Sequence, residues 1–206
     1  MSTYLGLDVL DQLNHNMRES IQQSFDRFGS LTVNPGGRKQ WDDFAGQPLT
    51  ARTFEWFASG RAAAASLRAF LIARQGRLVP FWTPTWCADL NMTADAAAAA
   101  AAITVTKAGY GQFLFAFKAR RYLAITSPGG GFLMRKTTLV VDNGNGTETI
   151  TLDAGLGVDL LASGTLVSFL TLCRLDEDQS KVRWYGRNLA EATLRFREIP
   201  LETPAP

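Results

Sequence analysis

The chain has 206 residues, 46% of them hydrophobic and 19% charged, with a formal net charge of +2. That length suits one full domain plus a smaller one, and so small a charge gives no argument for nucleic acid by itself. A charged fraction below the ~25% common in soluble domains leaves much of the surface uncharged, as in an assembly component covered by its partners. Only Cys87 and Cys173 carry thiols, which excludes a disulfide framework of the small secreted kind; both read as small buried hydrophobes of a chain folded in a reducing cytosol.

At the N-terminus, MSTYLGLDVLDQLN carries Asp8 and Asp11 where an export signal needs a basic start and an unbroken apolar run, so no export is expected. His15, the one histidine, sits in a polar stretch and reads as a surface residue. From Ser20 to Phe57 the signals are those of strands: FDRFGSLTV (Phe25 to Val33), turn chemistry in NPGGRK, then LTARTFEWF (Leu49 to Phe57). The period then changes. Ser59 can cap, RAAAASLRAFLIARQG places Leu67, Phe70, Leu71 and Arg74 at helical spacing, and Gly76 stands where a left-handed C-terminal cap belongs. A helix over about 60–75 follows, and its apolar stripe needs cover.

RLVPFWTPTW (Arg77 to Trp86) comes next, with Phe81, Trp82 and Trp86 among two prolines. Two readings stand. Rigid rings can form a stacking platform for sugars or bases, or they can be the strand that covers the helix, each ring burying ~150–250 Å². The helix favours the second. The packing set read from the sequence is Trp56, Leu67, Phe70, Leu71, Phe81, Trp82, Trp86 and Trp184.

Beyond Trp86 the composition shifts. The alanine run Ala96–Ala102 is far shorter than the ~20 residues of a membrane span, so none is expected. From Ala96 to Val141 there is no acidic residue, whereas Lys107, Lys118, Arg120, Arg121, Arg135 and Lys136 are basic. With Phe113, Phe115, Phe117 and Tyr122 among them, this is the mixture that single-strand binders use; the alternation of the phenylalanines favours the buried face of a core strand, and the basic face can equally meet an acidic protein or glycan. SPGGGF and DNGNGTET supply turns, the second between TTLVV and TITL as the strongest hairpin signal of the chain. Short strands at this spacing suggest a small barrel or sandwich. The last section returns to longer strands, Val167–Leu175, Lys181–Tyr185 and Ala192–Ile199, with DEDQS as a polar turn and ETPAP as a disordered tail.

The inventory gives catalysis little to work with. No GxSxG or other nucleophile context appears, and structural zinc would have to gather Cys87, Cys173, His15 and a carboxylate from four distant places. Gly155 and Gly157 lack the third glycine of a dinucleotide loop, since Leu160 stands there. The acidic groups Asp42–Asp43 and Asp176–Glu177–Asp178 resemble a glycosidase pair only in composition, and they read as solvated turn acids. No enzyme activity and no cofactor are expected.

At TFEWF followed by LRAFLIARQGRLVPFW, through Phe70, Ala73, Arg74, Gly76, Phe81, Trp82 and Trp86, the sequence resembles the N-terminal domain of distal tail proteins of tailed bacteriophages and gene transfer agents. The closing strands SFLTLCRL, KVRWYG and ATLRFREIP resemble the C-terminal part of such proteins, so the likeness covers roughly residues 20–86 and 165–200. It implies a mainly β fold: an antiparallel β-sandwich related to tail-tube proteins, with one packed α-helix and an inserted small barrel-like subdomain. The expected division is 1–86 with 165–206 for the ring-forming domain and 87–164 for the insert. It further implies a six-fold homo-oligomeric ring at the distal tail. Its partners would be tail tube protein, baseplate hub, tape measure protein and tail fibres, and its location the virion after folding in the host cytoplasm. A glycan- or host-surface-binding baseplate module, or another tube, hub or terminator component, stands beside it as the alternative; a tail-associated hydrolase would need one of the acidic pairs.

Overall fold

The structure is a computed structural model that describes residues 2–11, 22–26, 29–33, 35–43, 49–129, 131–185 and 187–200. His15, Asn34 and the ETPAP tail lie outside the described residues. Along the chain run β1 (Thr3–Tyr4), β2 (Leu7–Asp8), β3 (Gln22–Asp26), β4 (Gly29–Val33), β5 (Lys39–Asp43), β6 (Leu49–Ser59) and the helix α1 (Arg61–Arg74). Then follow β7 (Phe81–Pro84), β8 (Ala102–Thr106), β9 (Tyr122–Thr126), β10 (Phe132–Asp142), β11 (Thr147–Leu152), β12 (Leu166–Leu175), β13 (Val182–Tyr185) and β14 (Leu189–Glu198). The fold is mainly β and antiparallel, with one α-helix among the described residues.

Two compact units divide the chain. One gathers 1–11 with 82–172, and the other 12–81 with 173–202. The middle unit is therefore wider than the 87–164 read from the sequence, taking in the first eleven residues, Trp82 to Trp86 and most of β12.

In the unit that carries the helix, β6 lies between β3 and β14, and β14 also pairs with β13 and with the last three residues of β12. Alternation decides the core. Phe54, Trp56 and Ala58 of β6 stand opposite Leu194, Ala192 and Ala190 of β14, and all six are buried. Onto these two strands packs α1, burying Ala64, Leu67, Phe70 and Arg74; Leu71 is only partly covered. Phe54 and Phe81 both meet Phe196, with ring centroids 5.5 and 5.3 Å away, and Phe81 meets Phe70 edge-on at 5.1 Å. Arg74 is buried, because its guanidinium lies 4.9 Å over the Phe70 ring and donates from Nη1 to the Pro80 carbonyl at 3.0 Å.

The helix ends differ slightly from the sequence reading. Gly60 rather than Ser59 takes the N-cap position at φ 86°, and its carbonyl accepts from Ala64 N–H at 3.1 Å. At the other end Gln75 already adopts the left-handed conformation (φ 49°), one residue before Gly76 (φ 64°). The β4–β5 hairpin forms a separate two-stranded sheet, with Gly29 opposite Asp43 and Val33 opposite Lys39.

In the middle unit β9, β10, β11 and β8 follow one another, and the first four residues of β12 pair with β9. Both glycine-rich turns close hairpins. Ser127 N–H donates to the Gly131 carbonyl at 2.9 Å between β9 and β10, and Gly144 and Gly146, at φ 75° and 82°, make the β10–β11 turn, where only glycine is unstrained. A bulge between Thr137 and Leu139 switches the face that β10 presents. Behind the sheet lies an apolar core that includes Ile103, Tyr110, Leu123, Ile125, Ile150 and Phe169.

One element differs outright from its pattern. Phe113, Phe115 and Phe117 do not line a core strand: Tyr110–Leu114 forms a single π-helical turn, and a 3-10 turn at Lys118–Arg120 follows. Gly109, at φ 75°, opens this turn, and a Cβ there would come within 2.7 Å of the Phe113 ring. Cys173 is buried, but Cys87 is exposed rather than internal, and no disulfide joins them.

Candidate functional site

The tryptophan-rich segment is divided between the two units residue by residue. Phe81 belongs to the helix-bearing unit and supplies the cover that α1 needs. Trp82 and Trp86 belong to the middle unit. The Trp82 indole sits 4.9 Å from the Tyr122 ring and 5.8 Å from Tyr4, and its Nε1 donates to the Tyr4 carbonyl at 3.0 Å. Trp86 lies 6.4 Å from Phe132 and holds a left-handed backbone conformation at φ 57°. With 2% and 4% of their surface exposed, neither indole presents a face to a ligand, so the stacking-platform reading of these two residues is overturned. A flat sugar or base needs an open ring face, and both faces here are occupied by protein.

Trp56, Leu67, Phe70 and Phe81 are buried in the helix-bearing unit. Trp184 is not: it is 47% exposed on β13, next to Tyr185 at 51%. The reason is positional. Among the described residues β13 pairs with β14 alone, and Arg183, Trp184 and Tyr185 are all solvent-facing.

Five of the six basic residues of the middle section are engaged in separate local tasks. Arg135 donates from Nε and Nη2 to the Gly155 carbonyl at 3.0 and 2.6 Å, tying down an irregular loop. Arg121 donates to the Phe115 carbonyl at 3.0 Å and lies 4.6 Å over that ring. Arg120 and Lys136 sit 5.9 and 5.7 Å over the rings of Phe169 and Tyr122. Lys107 pairs with Asp142, which holds the ammonium above its ordinary range and the carboxyl below. Lys118 is exposed on the 3-10 turn.

Sequence reasoning missed Glu148. It is 2% exposed, and its two carboxylate oxygens accept from the backbone N–H groups of Tyr110 and Gly111, each at 3.2 Å. These are the leading donors of the π-helical turn, which a helix end leaves without internal acceptors. Thus one acid 37 residues away along the chain holds the segment that exposes Phe113 (62%) and Phe117 (44%). Burial also pushes the Tyr110 phenol up, and its hydroxyl donates to the Arg120 carbonyl at 3.0 Å. Replacing Glu148 by Ala is expected to cost about 1.5–3 kcal/mol, the scale of hydrogen bonds to a charged group. A urea titration measures the loss, and increased protease cutting between Gly109 and Arg121 locates it.

Among the described residues no group of three or more His, Cys, Asp or Glu side chains is placed to hold a metal ion. Of the two acidic clusters, Asp176 is buried rather than solvated (9% exposed), while Glu177 and Asp178 are exposed. No described helix is long and apolar enough to cross a membrane. No protein-family model and no curated protein matches the sequence.

Proposed function

We propose that the chain is a structural ring component of a phage-type tail, a distal tail protein joining the tail tube to the baseplate hub as a homo-oligomer of six. The observation that carries this reading is outward apolar surface on strands of the helix-bearing unit. Phe25 on β3, Leu31 and Val33 on β4, and Trp184 and Tyr185 on β13 are between 47% and 66% exposed. Every described residue from Ser30 to Gln40 is exposed, so the turn end of the β4–β5 hairpin carries no cover among the described residues. A two-stranded hairpin is marginal in water on its own, and apolar side chains left outward on several strands are surface that other chains can cover. A head-to-tail contact that closes by rotation gives each copy the same cover. The segments that resemble distal tail proteins, 20–86 and 165–200, fall largely in this same unit.

The double variant Leu31→Asp, Val33→Asp tests it, since both side chains are exposed and the core stays intact. Wild-type chain is expected to sediment as a closed oligomer and to give six-fold rings in electron micrographs, whereas the variant sediments as a folded monomer. A wild-type chain that stays monomeric at tens of micromolar, alone and with tail tube protein present, overturns the reading.

A further inference from the structure

The helix-bearing unit holds a cavity of about 360 Å³ to which four arginines, Arg77, Arg174, Arg195 and Arg197, contribute walls together with Asp176 and Glu177. Backbone register creates it. The β12–β14 pairing sets Arg174 directly opposite Arg197, a like-charge cross-strand pair of the kind that destabilises a sheet. Arg195, two residues along the same strand, is on the same face as Arg197. The strand therefore gathers three guanidiniums in one place, against the usual tendency of sheets to separate them.

Asp176 organises two of them. Its backbone N–H donates to the Arg195 carbonyl at 2.8 Å, and its carboxylate accepts from Arg197 Nε at 2.6 Å through Oδ1 and from Arg195 Nε at 2.9 Å through Oδ2. Bonds from two sides to one carboxylate whose side chain is 10% exposed restrict both guanidinium planes. Arg77 enters from the turn after α1. Its backbone N–H donates to Asp178 Oδ1 at 3.1 Å, and its carbonyl accepts from Arg174 Nη1 at 3.3 Å. The Arg77–Asp178 ion pair itself is 3.9 Å long with both side chains mostly exposed, where water screens it.

We propose that this cavity is an oxyanion site for a small multivalent anion of the phosphate or polycarboxylate class. Four guanidiniums against Asp176, Glu177 and the Asp178 carboxylate beside Arg77 leave a formal excess of one positive charge around the cavity, which an anion offsets. A guanidinium offers paired N–H donors that match the oxygen pairs of phosphate and carboxylate groups, which an ammonium does not. The Arg195 and Arg197 side chains are 42% and 43% exposed, so a ligand reaches them from solvent. The volume lies at the lower end of the ~300–1,000 Å³ of small-molecule pockets, which fits a compact anion and not a folded partner.

The test uses the full chain in calorimetric titrations and thermal unfolding with sodium phosphate and sodium citrate, against sodium chloride at matched ionic strength. Phosphate or citrate is expected to bind and to raise the unfolding temperature beyond chloride. Arg77→Gln and Arg195→Gln are each expected to weaken that binding at least tenfold, while Lys118→Gln, in the other unit, leaves it unchanged. Arg77 lies outside the strands with its side chain 61% exposed, so its variant folds and keeps the test decisive. An equal temperature rise in chloride, or wild-type affinity in both arginine variants, overturns the proposal. So does an acidic peptide that binds in an Arg77-dependent way while phosphate and citrate do not, since that result assigns the site to a protein partner.

Discussion

Trp82→Ala is expected to lower the unfolding free energy by about 3–5 kcal/mol, the range for deleting a buried aromatic side chain. The indole is 2% exposed and fills the space between Tyr4 and Tyr122. Its removal opens a cavity that a rigid sheet closes only in part. It also leaves the partly buried Tyr4 carbonyl without the 3.0 Å bond from Nε1, which adds a smaller cost of its own. The backbone of Trp82 still accepts from Leu10 N–H at 2.8 Å, so the N-terminal segment keeps one tether in the variant. Trp82→Phe separates the contributions: it restores part of the ring volume but not the donor, and falls between wild type and Ala. Urea unfolding followed by circular dichroism reads all three. A loss under ~0.5 kcal/mol, the scale of an exposed position, would refute the packing role.

Phe81→Ala is expected to cost a similar ~3–5 kcal/mol, but in the other unit. Its ring is fully buried, edge-on to Phe70 at 87° and to Phe196 at 83°, the geometry that adds ~0.5–1.5 kcal/mol per pair beyond area alone. The change has a second consequence. The Arg74 guanidinium lies 5.9 Å over the Phe81 ring, and a buried cation that loses an aromatic face beside it is solvated less well. Hydrogen exchange distinguishes the two variants. Amides of α1 lose protection first in Phe81→Ala, whereas those of β9 and β10 lose it first in Trp82→Ala. Equal loss across both units in both variants would show that the chain unfolds as a single cooperative block.

These two neighbours show where sequence reading reaches its limit. RLVPFWTPTW presents itself as one aromatic strand laid over one helix, and its hydrophobic content alone places its rings inside. Which inside is a matter of strand alternation: successive side chains point to opposite faces, so Phe81 turns toward Phe70 while Trp82 turns toward Tyr4 and Tyr122. Likewise, Trp184 has the residue type of a core tryptophan but lies on a strand that, among the described residues, pairs with β14 alone. The cavity arginines left a trace in the R-x-R spacing of Arg195 and Arg197, yet their meeting with Arg174 depends on a register across 23 residues of chain.

What the residues settled alone is whatever is local. Alanine-rich helical spacing set α1 within a residue or two of 60–75, and the two glycine-rich turns fixed their hairpins, because helix propensity and positive-φ turns depend on near neighbours. Tertiary structure decided the rest. Phe113, Phe115 and Phe117 alternate as a strand does, but the remote carboxylate of Glu148 captures the backbone at Tyr110 and Gly111 and holds a π-turn there. Asp176 reads as a solvated turn acid until the fold brings Arg195 and Arg197 to its two oxygens. A buried charge is kept by partners from distant parts of the chain, and only the folded chain brings them together.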